Sequence, residues 1–327
     1  MINSTTGGPG RIAGNGAVVA RAPAKVNVHL RVGPLRPDGF HELSTVYLAV
    51  SLFDTVTVRP GEGISLTVRG EGGAAGRGPA SVPTDRRNLV WQAAELLARH
   101  AGVPADAQLE VEKSIPAAAG LAGGSADAAA TLVALDALWG TRATRGDLAG
   151  LAAQLGSDVP FSLHGGVALG TGRGEQLSPV LARRRSDWVL GIAGEGLSTP
   201  TVYGELDAMR AAGTVASGTG GTGGAGDAAE PVIAALRSGP TSALAATLAN
   251  DLQAPALRLR PELRRALQAA TEAGARAAVV SGSGPTVAAL ADGEDAAVRL
   301  AATLAGAGIF RTVRAVHGPV PGARLVG

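Results

Sequence analysis

The 327-residue chain has no cysteine, so disulfides and thiolate metal sites are excluded. Aromatic residues make up only 3% of it, which leaves few rings on which nucleic-acid bases could stack. No apolar run approaches the roughly 18 residues needed to span a membrane. Residues 1–17 lack the apolar segment of a secretory signal and are predicted to be a flexible tail. We therefore expect a cytoplasmic protein with neither a nucleic-acid nor a membrane partner.

Lysine is almost absent, although the net charge is +2. Of the 29 lysines and arginines, only Lys25 and Lys113 are lysines, which indicates a coding bias towards arginine. A lysine that persists against such a bias is informative, because guanidinium does not always replace a compact ammonium. Chance survival is the alternative for each. The densest basic run, residues 183–185, is predicted to be a solvated surface turn.

Glycine, in contrast, is abundant, with 48 residues. Residues 115–130 read IPAAAGLAGGSADAAA, an apolar run followed by a small-residue turn and then an alanine-rich helix. Gly120, Gly123 and Gly124 allow positive φ and close approach of a ligand to the backbone. Ser125 is predicted to be the helix N-cap. Free N–H groups at a helix start suit a phosphate, although a tight loop of small residues is the structural alternative.

Two common phosphate-binding signatures are missing. A P-loop requires a lysine directly after its last glycine, and none follows Gly124. The glycines of residues 191–196 follow a predicted strand but lack Rossmann spacing, and no clear helix comes after them.

Apolar spacing predicts an α+β protein. The predicted strands cover 18–32 (broken at Pro23), 43–58, 64–68, 107–113, 167–172, 188–193, 277–281, 287–290 and 311–316. The predicted helices cover 88–101, 126–139, 147–155, 261–273 and 296–305. Residues 213–226, rich in glycine, threonine and serine, are predicted to be a disordered loop. We predict two domains after the tail, at 18–180 and 181–327.

Three motifs occur in order along the chain. They are PAKVN at 23–27 (the first motif), the glycine loop at 116–126 and SGSGP at 281–285 (the third motif). Together they resemble the GHMP kinase superfamily. The resemblance implies a two-domain α+β kinase with its active site in the interdomain cleft. It also implies ATP as phosphoryl donor with Mg²⁺, a small alcohol as acceptor, and a monomer or homodimer.

Longer segments resemble one branch of that superfamily, whose substrate is a cytidine diphosphate-linked polyol of isoprenoid precursor synthesis. These segments are PAKVNVHLRV at 23–32, RPDGFHEL at 36–43, AGLAGGSADAA at 119–129, LGSDVPFSLHGG at 155–166 and NDL at 250–252. Phe40 stands where this branch often has tyrosine, and Ala122 where it often has glycine. The alternatives are another GHMP kinase, of homoserine or mevalonate type, and a catalytically inactive nucleotide-binding regulator.

The resemblance assigns roles to individual residues. Asp158 would be the general base, with Lys25 as its catalytic partner; without the resemblance, Asp158 would be taken for a helix N-cap. The implied substrate-binding residues are Asn27, Phe40, His41, Thr199 and Tyr203. The implied ATP-binding residues are Asn88, Lys113, Pro116, Ala117, Ala118, Ala119, Gly120, Leu121, Ala122, Gly123, Gly124, Ser125 and Ala126. No protein ligand is assigned to the metal beyond a role for Ser125.

Overall fold

The computed structural model describes residues 16–71, 82–182, 184–215 and 228–326. Nearly all of the predicted N-terminal tail, and residues 216–226 of the predicted disordered loop, lie outside these ranges. In the part of the chain that is described, no helix is long and apolar enough to cross a membrane.

Strands and helices follow the α+β pattern. The strands are β1 (Val18–Leu35), β2 (His41–Arg59), β3 (Ile64–Gly70), β4 (Ala107–Lys113), β5 (Val167–Thr171), β6 (Gln176–Val180), β7 (Ser186–Ile192), β8 (Ala249–Asn250), β9 (Ala277–Val280), β10 (Thr286–Ala291), β11 (Thr312–Gly318) and β12 (Arg324–Leu325). The helices are α1 (Leu89–Ala101), α2 (Gly123–Trp139), α3 (Arg145–Leu155), α4 (Val159–His164), α5 (Thr199–Ala211), α6 (Glu230–Ser238), α7 (Thr241–Thr247), α8 (Gln253–Leu259), α9 (Glu262–Glu272) and α10 (Glu294–Gly306).

The first sheet is built on the long antiparallel hairpin of β1 and β2. Its order is β12-β1-β2-β4-β3, with β5 also paired to β2, β6 to β5, and β8 to β1. The predicted break at Pro23 is wrong, because β1 runs through it. The register shifts between Pro23 and Ala24 instead, a β-bulge that accommodates a residue with no N–H to donate.

Helix α2 packs against β1 and β2 and is buried along most of its length. Its inward residues include Ala126, Ala129 and Ala130, whose small side chains let the helix axis approach the sheet closely. Leu132 and Leu135 fill the remaining space in the same core. This close packing holds the start of α2, and with it the glycine loop, near the middle of β1.

The second sheet is antiparallel, in the order β11-β7-β10-β9, with α9 and α10 packed against it. Its core also takes in Leu30 and Val32 of β1. The predicted boundary at 180/181 precedes β7 by a few residues. However, β8 and β12, which come after that boundary, pair with β1 of the first sheet. The C-terminal part of the chain therefore adds strands to the first sheet next to β1, the strand that carries the first motif.

Candidate active site

The three sequence motifs meet at one place. The backbone N–H of Lys25 in the first motif donates to the carbonyl oxygen of Leu121 in the glycine loop at 3.2 Å. Thr286, next to the third motif, donates from its hydroxyl to the carbonyl oxygen of Ala119 at 2.6 Å. The glycine loop is thus hydrogen-bonded to β1 on one side and to the start of β10 on the other.

Glycine is required where the loop meets the third motif. Gly120 has φ +76°, and a Cβ there would lie 2.7 Å from the carbonyl oxygen of Ser281 and 2.9 Å from that of Gly284. Gly282 has φ +56°, and its Cβ would lie 3.2 Å from Asn27 Oδ1. A side chain at Gly120 would push the glycine loop away from the third motif. A side chain at Gly282 would push the third motif away from Asn27.

Helix α2 begins earlier than predicted. Its first residue is Gly123, and its N-cap is Ala122, which has φ 58° and no side-chain capping bond. The predicted N-cap role of Ser125 is therefore wrong: Ser125 lies inside the first turn. Positive φ occurs at Ala118, Gly120 and Ala122, at every second residue before the helix. The left-handed alanines cost about 1–2 kcal/mol each, so the surrounding contacts must hold the loop in place.

Lys25 and Asn27 share one face of β1, as the two-residue period of a strand predicts. The Lys25 ammonium donates to Asn27 Oδ1 at 2.7 Å, which confirms that prediction. Asn27 Nδ2 donates in turn to the Thr45 hydroxyl at 2.8 Å. Both Lys25 and Asn27 are buried, so the network holds the ammonium in a defined position.

Asp158 completes an ion pair with Lys25. Its Oδ2 lies 3.6 Å from the Lys25 ammonium, and its side chain is 29% exposed. Asp158 occupies the N-cap position of α4, but its carboxylate makes no capping hydrogen bond. The carboxylate instead faces the Lys25 ammonium, a contact that a purely structural N-cap does not explain.

Two tyrosines border the Asp158 carboxylate. Burial raises the pKa of Tyr47 well above its ordinary value, and the Asp158 charge adds to the effect. Burial also raises the pKa of Tyr203, again with a contribution from Asp158. Tyr47, stacked on Phe161 with ring centroids 4.8 Å apart, was not a sequence candidate. Nothing local to residue 47 indicates its proximity to Asp158, because the two come together only through the fold.

The predicted base-binding residues fall into two groups. The rings of His41 and Tyr203 are stacked with centroids 5.2 Å apart, and His41 Nε2 lies 3.0 Å from Asp207 Oδ1. Phe40 is half exposed, and its ring lies under the Arg173 guanidinium at 5.0 Å. The structure thus brings His41 and Tyr203 together, with Phe40 packed against a different partner.

Thr199 lies at the start of α5, and its hydroxyl is 3.0 Å from the hydroxyl of Ser283 in the third motif. Asn250, from the NDL segment, donates from its amide to the carbonyl oxygens of Val280 and Gly282, both at 2.7 Å. Thr199 and Asn250 therefore both contact the third motif. Asn250 was noted only as part of a segment, and its role in holding that motif was not predicted.

The two residues predicted to border the adenine differ in placement. Asn88 is the N-cap of α1, accepting the N–H of Val90 at 2.9 Å, as its structural alternative predicts. Lys113 is buried, with its ammonium 2.6 Å from carboxylate oxygens of both Asp54 and Asp127. The Lys113 ammonium is therefore turned into the protein and occupied by two carboxylates.

The chain is similar to known kinases over nearly its whole length. The family models described as GHMP kinases N terminal domain and GHMP kinases C terminal match residues 88–166 and 232–309. A 4-diphosphocytidyl-2-C-methyl-D-erythritol kinase from Rhodococcus jostii (strain RHA1) is 57% identical over 309 residues, covering 94% of this chain and 95% of the relative. The chain belongs to this family of GHMP kinases.

Solved structures agree with that assignment. A crystal structure of a 4-(cytidine 5'-diphospho)-2C-methyl-D-erythritol kinase matches with a TM-score of 0.72 and 35% identity, covering 94% of this chain and 99% of that one. A homoserine kinase from Cytophaga hutchinsonii ATCC 33406 matches with a TM-score of 0.70 and 19% identity, covering 100% of this chain and 99% of that one. The second match reflects the shared fold alone. The predicted superfamily and α+β fold are confirmed.

As a GHMP kinase, the protein is a phosphotransferase that takes ATP as its phosphoryl donor. Within the described ranges, no group of three or more histidine, aspartate or glutamate side chains is arranged to hold a metal ion. Lys25 is joined to the glycine loop through its backbone, and its ammonium is paired with Asp158.

Proposed function

We propose that this protein transfers the γ-phosphate of ATP to the 2-hydroxyl of 4-diphosphocytidyl-2-C-methyl-D-erythritol, in the non-mevalonate route to isoprenoid precursors. The names of its relatives support the substrate. The observation that carries the chemistry is the Lys25–Asp158 pair, 3.6 Å apart and joined to the glycine loop through the Lys25 backbone. This pair supplies a base and a cation for the acceptor hydroxyl in the proposed reaction.

In this proposal the ATP phosphates lie over the start of α2. The first N–H groups of a helix have no acceptor within it, and they favour an anion. Gly124 is exposed, and a Cβ there would meet only Leu89 Cδ1, at 3.7 Å. This open space above the helix start supports close approach of a phosphate to the backbone.

Mg²⁺ would arrive with the nucleotide. The described residues offer no acidic cluster that would hold a resident ion. The metal would therefore be bound mainly by the ATP phosphates. Ser125, in the first turn of α2, is the one hydroxyl of the glycine loop that could contact it. The metal would supply charge neutralisation on the β- and γ-oxygens.

The transfer itself needs one proton movement. Asp158 takes the proton of the 2-hydroxyl, and the oxygen then bonds to the γ-phosphorus. The bond from that phosphorus to the β,γ-bridging oxygen breaks, and ADP leaves. The Lys25 ammonium orients the attacking oxygen and offsets negative charge on the phosphoryl group. Asn27, which accepts a hydrogen bond from Lys25, keeps the ammonium aimed at this site.

The cytidine end would occupy the region of His41 and Tyr203. Tyr203 offers a ring for stacking, and His41 offers ring nitrogens to the polar edge of cytosine. The half-exposed Phe40 ring would provide the second stacking face on leaving Arg173. Thr199, at the start of α5, would line the same pocket beside the third motif.

A coupled assay of ADP release tests the proposal. Purified protein receives ATP, Mg²⁺ and one alcohol at a time: 4-diphosphocytidyl-2-C-methyl-D-erythritol, homoserine or mevalonate. We expect turnover with the first alone. Comparable kcat/KM with homoserine or mevalonate would favour another GHMP kinase activity. Nucleotide binding without any turnover would favour an inactive regulator, and either result would overturn the proposal.

A further inference from the structure

A buried aspartate holds the chain where it enters the glycine loop. Asp54, on β2, is completely buried. Its Oδ1 accepts the backbone N–H of Ser114 at 2.6 Å and that of Ile115 at 2.8 Å. These two residues directly follow β4 and lead into the loop. The Asp54 carboxylate therefore fixes the end of the glycine loop that is connected to β4.

Lys113 connects the other end of the glycine loop, at the start of α2, to the end at β4. The Lys113 ammonium donates to Asp54 Oδ2 and to Asp127 Oδ2, each at 2.6 Å. Asp127 lies near the start of α2, whereas Lys113 ends β4. The three side chains are 0–3% exposed, so solvent screens their attraction little. One ammonium thus connects β2, β4 and α2.

This cluster lies directly beneath the helix start. A Cβ on Gly123, the first residue of α2, would lie 3.4 Å from the Lys113 ammonium. The positive charge therefore stands just behind the N–H groups that would face a phosphate. The adjacent carboxylates also keep the ammonium from reaching any ligand on the outer side of the loop.

The cluster combines one ammonium with two buried acidic side chains. Burial raises the pKa of Asp127 well above its ordinary value; the Lys113 ammonium opposes this effect, and the nearby Asp54 carboxyl adds to it. Burial opposes the charge on Lys113, but the two carboxylates outweigh it and raise the pKa of the ammonium. Asp127 Oδ1 is buried without a hydrogen-bond partner, which costs less on a neutral carboxyl than on an ionised one. Burial therefore disfavours the charge on Asp127, whereas the acidic neighbours favour the charge on Lys113.

We propose that Asp54, Lys113 and Asp127 form a clamp that positions the glycine loop for ATP, acting through the loop backbone and not by contact with the nucleotide. The clamp ties the end of β4 to the start of α2 and so sets the spacing of the loop between them. This inference rests on the proposed function in placing the ATP phosphates at the loop. It assigns Lys113 a positioning role in place of the adenine contact that the family resemblance implied.

The first test is Asp54→Asn. Its amide cannot satisfy both the ammonium and the two backbone N–H groups, so the loop loses an anchor. We expect the Kd of a nonhydrolysable ATP analogue with Mg²⁺, measured by calorimetry, to rise about tenfold or more. The KM for the cytidylyl alcohol should change by less than about twofold, because the clamp does not touch that pocket.

Asp127 provides a rescue test in case Asp54→Asn fails to fold. Asp127→Ala should weaken analogue binding by a factor similar to Asp54→Asn. Asp127→Asn should recover most of the loss, because the amide oxygen can still accept the hydrogen bond from Lys113. The matched control is Asp187→Asn, a buried aspartate on β7 paired with Arg185, which should lower Tm without changing analogue binding.

The outcomes separate the clamp from the proposed function, because analogue binding is measured without the alcohol. Weakened binding in Asp54→Asn and Asp127→Ala supports the clamp even if the cytidylyl alcohol proves not to be a substrate. Unchanged analogue binding in a folded Asp54→Asn variant overturns the clamp. So does a loss in Asp127→Asn as large as that in Asp127→Ala.

Discussion

The Lys25 ammonium lies 3.6 Å from Asp158 Oδ2, although the two residues come from β1 and from the turn before α4. The Asp158 carboxylate makes no capping hydrogen bond. Among the described residues, Lys25 is the only ion-pair partner found for it. The pair is partly open on the Asp158 side, where an alcohol would enter.

Asp158→Asn tests the general base. Asparagine keeps the size and capping capacity of aspartate but cannot take the proton, so we expect kcat to fall about 10²-fold or more. A Tm measurement shows whether the variant remains folded after it loses the ion pair with Lys25. Asp147→Asn, a partly exposed aspartate in the capping box of α3, is the control and should leave kcat intact. A normal kcat in Asp158→Asn would mean that Asp158 is structural.

Tyr203→Ala tests the nucleobase pocket. Stacking of a base on an aromatic ring contributes roughly 1–3 kcal/mol, so KM for the cytidylyl alcohol should rise about tenfold or more. KM for ATP should stay nearly constant, since the glycine loop is untouched. Tyr203→Phe keeps the ring and should stay near wild type. A rise confined to the ATP KM would show that the two nucleotide sites have been assigned backwards.

His41→Ala tests the choice of base. His41 pairs with Asp207 and stacks on Tyr203, which fixes its ring in the predicted pocket. Removing it should reduce the preference for the cytidine over the uridine form of the alcohol, because unpaired polar edges are costly. The ratio of the two kcat/KM values measures this preference. An unchanged ratio would exclude His41 from base recognition.

Gly120→Ala tests the contact between the glycine loop and the third motif. The added Cβ would lie 2.7 Å from the Ser281 carbonyl oxygen at a φ of +76°. The left-handed conformation alone should cost about 1–2 kcal/mol, and the overlap adds to it. Chemical denaturation measures the loss. Gly150→Ala is the matched control in α3, where no atom lies within 4 Å of the new Cβ. That control should gain up to about 1 kcal/mol; similar losses in both variants would contradict the steric account.

The buried His29 is expected to make the folded protein less stable in acid. Burial, and then the nearby Arg31 charge, lower its pKa below the ordinary 6.5, against smaller raising effects from Thr247 and Asp251. The unfolded chain therefore binds a proton on His29 more readily, and this contribution to stability is lost as pH falls below about 6.5. His29→Leu should show a smaller drop in Tm between about pH 7.5 and pH 5.5 than wild type. An equal drop would assign the acid sensitivity to other groups.

Much of the fold was predictable because its signals are local. The alternation along β1, the β-branched residues at the end of β2 and the apolar spacing along α1 identified these elements, and the two-residue period placed Lys25 and Asn27 on one face. The helices α5 to α8 were not predicted. Three of them have only seven to nine residues, too short for a clear helical period.

The finer geometry of the site depends on distant parts of the chain. Ala122 takes a left-handed conformation that alanine rarely adopts, so α2 begins before the predicted cap at Ser125. Lys113 is paired with Asp54, 59 residues away, and its burial is decided by that packing. The proximity of Tyr47 to Asp158 is likewise a product of the sheet, and a single sequence carries no signal for it.

The most direct test of the account is analysis of the reaction product. The purified protein is incubated with ATP, Mg²⁺ and 4-diphosphocytidyl-2-C-methyl-D-erythritol, and phosphorus NMR follows the nucleotide and the alcohol. The account predicts ADP and, in equal amount, one new phosphomonoester on the 2-hydroxyl, both absent with Asp158→Asn on the same time scale. A phosphate on another hydroxyl, or ADP formed with no phosphorylated alcohol, would contradict it.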